Sequence, residues 1–188
     1  MKQMETKRLL LREFRETDYD DILTQVYADK EVWGLYSSIG NNPDKIRQRF
    51  MHRCYQPSNA EFGFRAVEFK ENGRVIGQIH IEPHILNASN IPGDVASQFN
   101  TIEVELAFAF GKAYWGKGLA HEACLAMIDY AFQELKLPRL VGGTKPNNQR
   151  SLNLHKRLGY TVAPDPIEPE FMTTILVNPR VAQSISKE

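Results

Sequence analysis

Polar and apolar side chains alternate most clearly over Thr101–Phe110, a pattern typical of a β-strand. One face of this strand carries Glu103, Glu105, Ala107 and Ala109, and the other carries Val104, Leu106, Phe108 and Phe110. Short apolar runs predict further strands at Arg8–Phe14, Phe62–Phe69, Val75–Glu82, Arg139–Gly143 and Phe171–Val177. The Asn72–Gly73 pair indicates a hairpin between the strands that flank it.

Apolar positions at helical spacing predict helices between these strands. The first would be capped by Thr17 and contains Ile22, Leu23, Val26 and Tyr27, and the others are Pro43–Tyr55, Leu119–Leu137 and Asn147–Leu158. Stretches rich in Gly, Ser, Asn or Pro predict loops at Trp33–Asn42, with Trp33 and Tyr36 exposed, and at Pro83–Asn100. Because no linker divides the chain, we expect a single domain over residues 1–178 and a C-terminal tail at 179–188.

Composition narrows the class of protein. The chain of 188 residues carries 23 Lys plus Arg and 23 Asp plus Glu, so its net charge is zero. This balance argues against a general nucleic-acid binder, which needs an excess of basic residues. The two cysteines cannot form a disulfide framework, and no apolar run approaches the ~20 residues that cross a membrane. The charged first residues lack a secretory signal, so we expect a cytoplasmic protein without a membrane partner.

The Gly-rich turn between the clearest strand and the longest helix is a candidate anion site. Gly116 and Gly118 allow close backbone approach, and the N-terminus of the following helix presents free N–H groups. Lys112 and Lys117 add positive charge. The spacing is neither a P-loop nor a dinucleotide fingerprint. From spacing alone, a phosphate site and a plain turn are equally open interpretations.

Three segments in order carry a resemblance to a known family. YWGKGLAHEA (Tyr114–Ala123) resembles the acetyl-CoA pyrophosphate motif of the GNAT superfamily, in the version of its RimJ/RimL-like branch, although Trp115 replaces the general Gln or Arg. NNQRSLNLHKRLGY (Asn147–Tyr160) and TKRLLLREF (Thr6–Phe14) resemble two further segments of that branch. With Asp29–Leu35 in the place of an Asp-Pro-Glu-Val segment, the resemblance covers nearly all of residues 5–177.

The resemblance implies a fold and a co-substrate. The fold is α+β, with a mixed, mostly antiparallel sheet of about seven strands between helices in three α/β/α layers. The co-substrate is acetyl-CoA, whose pantetheine arm would pair with strand backbone. The residues that the resemblance places on it are Ala107, Phe108, Ala109, Phe110, Trp115, Gly116, Lys117, Gly118, Leu119, Ala120, Asn148 and Ser151.

Direct transfer of acetyl to an amine requires proton handling. Glu105 is the candidate base, alone or through water, and Glu103 on the same strand face could raise its pKa. Ser151 and His155 are alternative candidates for the acid that protonates the thiolate. The backbone near Phe108 could stabilise the oxyanion. His80 and His84 lack a third ligand at useful spacing, and the resemblance implies chemistry without a metal.

The acceptor is left open by the sequence. Trp33, Tyr36 and Glu103 are candidate acceptor contacts. The resemblance implies an amine, which could be a protein N-terminus or a small molecule such as an aminoglycoside, a polyamine or an amino-acid derivative. A non-catalytic acyl-CoA-binding regulatory module fits the cofactor motif equally well. Dimers are common in the family, so a homodimer is one expected assembly, although no sequence pattern indicates a dimer interface.

Overall fold

A computed structural model of the protein describes residues 2–36, 42–55, 61–87, 100–165 and 168–180. Within these ranges, eight strands form one sheet, in the spatial order β1-β2-β3-β4-β5-β6-β8-β7. The strands are β1 (Met4–Glu5), β2 (Leu9–Arg12), β3 (Gly63–Phe69), β4 (Arg74–Asn87), β5 (Asn100–Phe110), β6 (Arg139–Thr144), β7 (Thr161–Pro164) and β8 (Met172–Val177). Strands β5 and β6 are parallel, whereas the pairs β1–β2, β2–β3, β3–β4, β6–β8 and β7–β8 are antiparallel.

The predicted fold class is therefore confirmed, with eight strands in place of about seven. The strands that the sequence pattern did not indicate are β1 and β7. Strand β1 has two residues, too few for a periodic signal. Strand β7 ends at Pro164 and pairs with β8 at the end of the sheet order, where a missing N–H is tolerated.

Strand β4 is longer than predicted. It continues through Pro83 to Asn87, and β5 begins at Asn100, so the predicted loop is wrong for residues 83–87 and for Asn100. Leu86 is buried and packs with Val141 and Ile175, which gives this part of the strand an apolar anchor. The rest of the predicted loop, residues 88–99, lies outside the described residues.

The helices are flanked by short irregular turns. They are α1 (Tyr19–Ile22), α2 (Lys30–Tyr36), α3 (Pro43–Cys54), α4 (Leu119–Asp129) and α5 (Gln149–Arg157). One-turn π-helical segments, Leu23–Tyr27 and Tyr130–Glu134, prolong α1 and α4. The prediction of Thr17 as a cap is wrong, because Thr17 lies inside a 3₁₀ turn and Asp18 Oδ2 instead accepts the Arg15 N–H at 2.8 Å.

The start of the predicted loop Trp33–Asn42 is helical. Asp29 begins α2, since its Oδ1 accepts the Glu31 N–H at 2.8 Å and its carbonyl accepts the amides of Val32 and Trp33. Val32 is buried, and Trp33 is partly buried against the adjacent core. The loop prediction is therefore wrong up to Tyr36, whose side chain lies outside the described part of the chain, as do residues 37–41.

The chain forms two compact units, one of Met1–Ile81 with Ala107–Ala126 and one of Glu82–Leu106 with Met127–Glu188. The core of the first contains Phe14 and Phe50, whose rings meet edge to face at 5.7 Å. A core cluster in the second joins Leu86, Val141 and Ile175. In the described ranges, no helix has both the length and the apolar character to cross a bilayer.

Candidate functional site

In the first unit, the connection from β5 to α4 is fixed at its start. A 3₁₀ turn over Lys112–Tyr114 leads into it, and Trp115 donates from Nε1 to the carbonyl of Phe110 at 2.7 Å. Gly116 and Gly118 then adopt φ values of 73° and 74°. These left-handed conformations favour glycine, which explains why the Gly-x-Gly spacing occurs in this turn.

A row of backbone amides follows the Trp115 anchor. Within the described residues, no hydrogen bond is made by the N–H groups of Gly116, Lys117, Gly118, Leu119 and Ala120. The last two belong to the first turn of α4, whose N-terminal amides cannot bond within the helix. The Leu119 side chain is buried, so this residue can serve a ligand through its backbone and not through its side chain. A Cβ at Gly116 would meet no atom within 4 Å, which leaves this side of the turn open to a diphosphate.

Arg8 lies against this turn, although its sequence pattern predicts only a place in a strand. Its Nη1 donates to the Lys117 carbonyl at 2.9 Å, and its Nε donates to Glu122 Oε2 at 2.7 Å. Glu122 Oε1 also accepts the Arg8 backbone N–H at 2.7 Å and the Thr6 hydroxyl at 2.6 Å. The segment Thr6–Arg8 thus holds both the turn and the first turns of α4.

The positive charge near the turn differs from the sequence expectation. Lys112 was expected to contribute a mobile charge, but its ammonium forms an ion pair with Glu31. The Lys117 ammonium lies 5.6 Å from the centroid of the Tyr114 ring. Arg8 is the cation that is held at the turn, with Nη2 3.5 Å from the position of a Cβ on Gly118.

In the second unit, Glu105 lies opposite Val141 in the parallel register of β5 and β6. Burial raises the pKa of its carboxyl above the ordinary value, while the charge of His84 and a hydrogen bond from the Gly143 backbone lower it in part. The net direction is upward. A carboxylate with a raised pKa is a better base, so the environment of Glu105 suits the predicted role.

Glu103 is in a different environment from Glu105. Its side chain is 5% exposed, and its two oxygens accept from Arg139 Nε at 2.7 Å and Nη2 at 2.5 Å. The expectation that the two carboxylates raise each other's pKa is wrong, because burial and not Glu103 raises the pKa of Glu105. An acceptor contact by Glu103 stays a prediction.

The two candidate acids lie together at the start of α5. Asn148 caps this helix, with Oδ1 accepting the Ser151 N–H at 3.3 Å. Ser151 Oγ and His155 Nδ1 are 3.5 Å apart. Burial lowers the pKa of His155 to about 4, although a hydrogen bond with the Ser151 backbone opposes the shift. His155 is therefore a neutral imidazole at neutral pH.

The cysteine thiols stay protonated at neutral pH. Burial raises the pKa of Cys124, and burial together with nearby acidic side chains raises that of Cys54 to about 11. A thiol is a weak nucleophile until it ionises, so neither cysteine is set up for covalent transfer. Across the described segments, no three His, Cys, Asp or Glu side chains converge as a metal site.

Comparisons with known proteins identify the family of the chain. Residues 8–161 match the family model described as Acetyltransferase (GNAT) domain. The chain is 29% identical over 167 residues to "Uncharacterized N-acetyltransferase p20" of Bacillus licheniformis, covering 85% of this chain and 83% of that one. It is 26% identical over 149 residues to the ribosomal protein uS5-alanine N-acetyltransferase of Escherichia coli K12, covering 75% of each.

A solved structure of a GNAT-family acetyltransferase from Bacillus anthracis has the same fold, with a TM-score of 0.72 and a sequence identity of 18%. The superposition covers 95% of this chain and 99% of that one. The family names favour an enzyme over a non-catalytic binding module. Because the family model covers well over half of the 188 residues, the chain belongs to the GNAT acetyltransferases and is an N-acetyltransferase.

Proposed function

We propose that the enzyme transfers acetyl from acetyl-CoA directly to a primary amine while both are bound. The observation that carries this proposal is the row of unpartnered amides from Gly116 to Ala120 at the start of α4. The acceptor class follows from the resemblance to the RimJ/RimL-like branch, which includes protein N-termini, and small amines fit the same chemistry. The relative in Escherichia coli carries the name of a ribosomal protein alanine acetyltransferase.

The residues present fit acetyl-CoA, which supplies an activated acetyl thioester when bound. The amides of residues 116–120 would hold its pyrophosphate, with Arg8 keeping the turn in shape. The backbone of Ala107–Phe110 would pair with the amides of the pantetheine arm. Asn148 and Ser151 are proposed contacts to the same arm.

Proton handling is assigned to residues of the second unit. The Glu105 carboxylate takes a proton from the acceptor ammonium, directly or through one water, because burial has raised its proton affinity. Ser151 or His155 returns a proton to the leaving sulfur. Since His155 is a neutral imidazole at pH 7, it holds no surplus proton, and to act as the acid it must first receive the proton that the acceptor ammonium has lost. Trp33, Tyr36 and Glu103 stay predicted acceptor contacts, and a cytoplasmic location and a homodimer also stay predictions.

A thiol-release assay with acetyl-CoA tests this function directly. The panel would contain peptides with free N-termini, polyamines, aminoglycosides and amino-acid derivatives. We expect release of CoA that depends on one amine class, and loss of that release in Glu105→Gln with unchanged CoA affinity. Absence of release with every amine would contradict direct transfer. Unchanged turnover in Glu105→Gln would remove Glu105 from the mechanism.

A further inference from the structure

Arg53 of α3 has a guanidinium that is buried in the first unit. The residue is 7% exposed. Its Nη1 donates to the Tyr27 hydroxyl at 2.7 Å and also to Gln78 Oε1. Both of these acceptors are neutral, so the hydrogen bonds position the guanidinium without neutralising its charge.

No carboxylate among the described residues lies within ion-pair distance of Arg53. The buried Arg12 shows the usual arrangement, since it pairs with Asp18 at 2.7 Å and with Glu68 at 2.6 Å. His80 does not supply a counter-charge, because burial and the charge of Arg53 lower its pKa to about 3. Arg53 thus differs from Arg12 in lacking a carboxylate partner, which leaves its positive charge available to an anion.

The surroundings of Arg53 fix the plane of the guanidinium. Its central carbon lies 4.0 Å from the centroid of the Phe64 ring, and this ring lies 4.1 Å from the His80 ring. With Nη1 occupied, the edge formed by Nε and Nη2 has no protein partner in the described chain. A planar edge of two parallel N–H groups matches the two oxygens of a carboxylate.

Gln78 provides a second, independent sign of a ligand. The side chain is fully buried, and its Nε2 has no hydrogen-bond partner, whereas its Oε1 is held by Arg53. A buried amide donor without a partner is destabilising, so this group is unusual in the core of a folded protein. One acceptor group beside Arg53 could satisfy both residues. The single charge of Arg53 suits a monoanion, since the neighbouring His80 is neutral.

We propose that Arg53 and Gln78 form a carboxylate-binding subsite, so that the acceptor is an amine that also carries a carboxylate. The carboxylate accepts two N–H bonds from the Nε–Nη2 edge of Arg53 and one from Gln78 Nε2. This inference rests on the proposed acetyl transfer for its biological meaning. The binding of a carboxylate can be measured separately from turnover.

The test uses matched pairs of acceptors that differ only at the carboxyl group. Glycine, β-alanine, 4-aminobutyrate and 6-aminohexanoate vary the distance from amine to carboxylate, and each is compared with its own carboxamide. Wild-type enzyme should prefer one acid over its amide by roughly tenfold or more in kcat/KM, mainly through KM. Arg53→Gln should reduce that ratio to near one. Arg53→Lys, which keeps the charge but loses the planar edge, should restore only part of it.

Arg47→Gln is the matched control, because it removes an exposed positive charge from the same helix. It should leave the acid-to-amide ratio unchanged. Since an amide group also alters the pKa of the nearby amine, the change in ratio between variants decides the outcome. Circular dichroism confirms that each variant folds, and Arg53→Lys takes the place of Arg53→Gln if the latter does not.

A binding measurement separates this inference from the proposed function. The same acids and amides are titrated against wild type and the Arg53 variant by calorimetry in the presence of CoA. If no amine is acetylated, acetyl transfer fails, but tighter binding of an acid that depends on Arg53 still supports the subsite. Equal binding of acids and amides by wild type, or a preference that persists in Arg53→Gln, overturns it.

Discussion

Arg8 and Glu122 are 114 positions apart in the chain and are joined by an ion pair of 2.7 Å between Nε and Oε2. The same guanidinium holds the Lys117 carbonyl at 2.9 Å. A single side chain therefore connects the start of β2, the Gly116–Gly118 turn and the helix that follows this turn. The turn depends on a residue that its own motif does not contain.

Replacing Arg8 should weaken cofactor binding. Arg8→Gln removes the bond to the Lys117 carbonyl and the partner of Glu122, so we expect the Kd for CoA to rise roughly tenfold. The kcat at saturating acetyl-CoA should change little, since Arg8 is a positioning residue. Calorimetric titration with CoA measures the effect. Lys7→Gln, at an exposed neighbouring position, is the control and should bind CoA like wild type.

The glycines of the turn should be intolerant of a side chain for conformational reasons. Gly116→Ala places a Cβ in open space, so its cost comes from the φ of 73° and should be about 1 kcal/mol or more. We expect a lower melting temperature and weaker CoA binding, measured by thermal unfolding and titration.

Gly34→Ala is the matched control for Gly116→Ala. A Cβ at Gly34 also meets nothing within 4 Å, but this glycine lies inside α2 and lacks a positive φ. Alanine there should raise stability by about 0.5–1 kcal/mol. Equal losses at Gly34 and Gly116 would show that the backbone conformation of the turn is not the cause.

The pH dependence of turnover should report Glu105. The carboxylate is the active form, and its pKa is raised above the ordinary 4.5. Activity should therefore rise with pH as this group ionises, and the midpoint of kcat/KM should lie above 4.5. In Glu105→Gln, this rise of kcat/KM with pH should be absent. Glu103→Gln should leave the midpoint in place but lower stability, because it breaks the ion pair with Arg139.

His155 should make folding stability depend on pH. Its pKa falls from 6.5 to about 4 in the folded protein, so the unfolded chain binds a proton more readily. This contribution is complete above pH 6.5 and is lost as the pH falls through about 4. Urea unfolding between pH 7 and pH 4 should show a steeper decline for wild type than for His155→Leu. Equal slopes in the two proteins would contradict the shift.

The sequence predicted most of the elements because they have local signals. The alternation of polar and apolar side chains located β5, and the Asn72–Gly73 pair located the β3–β4 hairpin. Pro43 marked the start of α3. Helix α2 was missed because Gly34 and the following Ser and Asn residues suggested a loop. The cap formed by Asp29 was a local signal that could have identified this helix.

The candidate site was only partly predictable. The Gly-x-Gly turn can be read from one segment, since its backbone conformation depends on the glycines in it. The contacts of Arg8 with Glu122 and of Arg53 with Gln78 join residues far apart in the chain, and no local pattern reports them. Glu103 and Glu105 lie on one strand, but Glu103 forms an ion pair with Arg139 and therefore has a different environment from Glu105.

The cap on α5 restricts what Asn148 can offer to any bound molecule. Its Oδ1 is engaged by the Ser151 N–H, so the group left for a ligand is the Nδ2 donor. Aspartate at this position would preserve the helix start while replacing that donor with a negatively charged oxygen. One conservative exchange would thus replace a hydrogen-bond donor with a negatively charged acceptor at this position and leave the start of the helix intact.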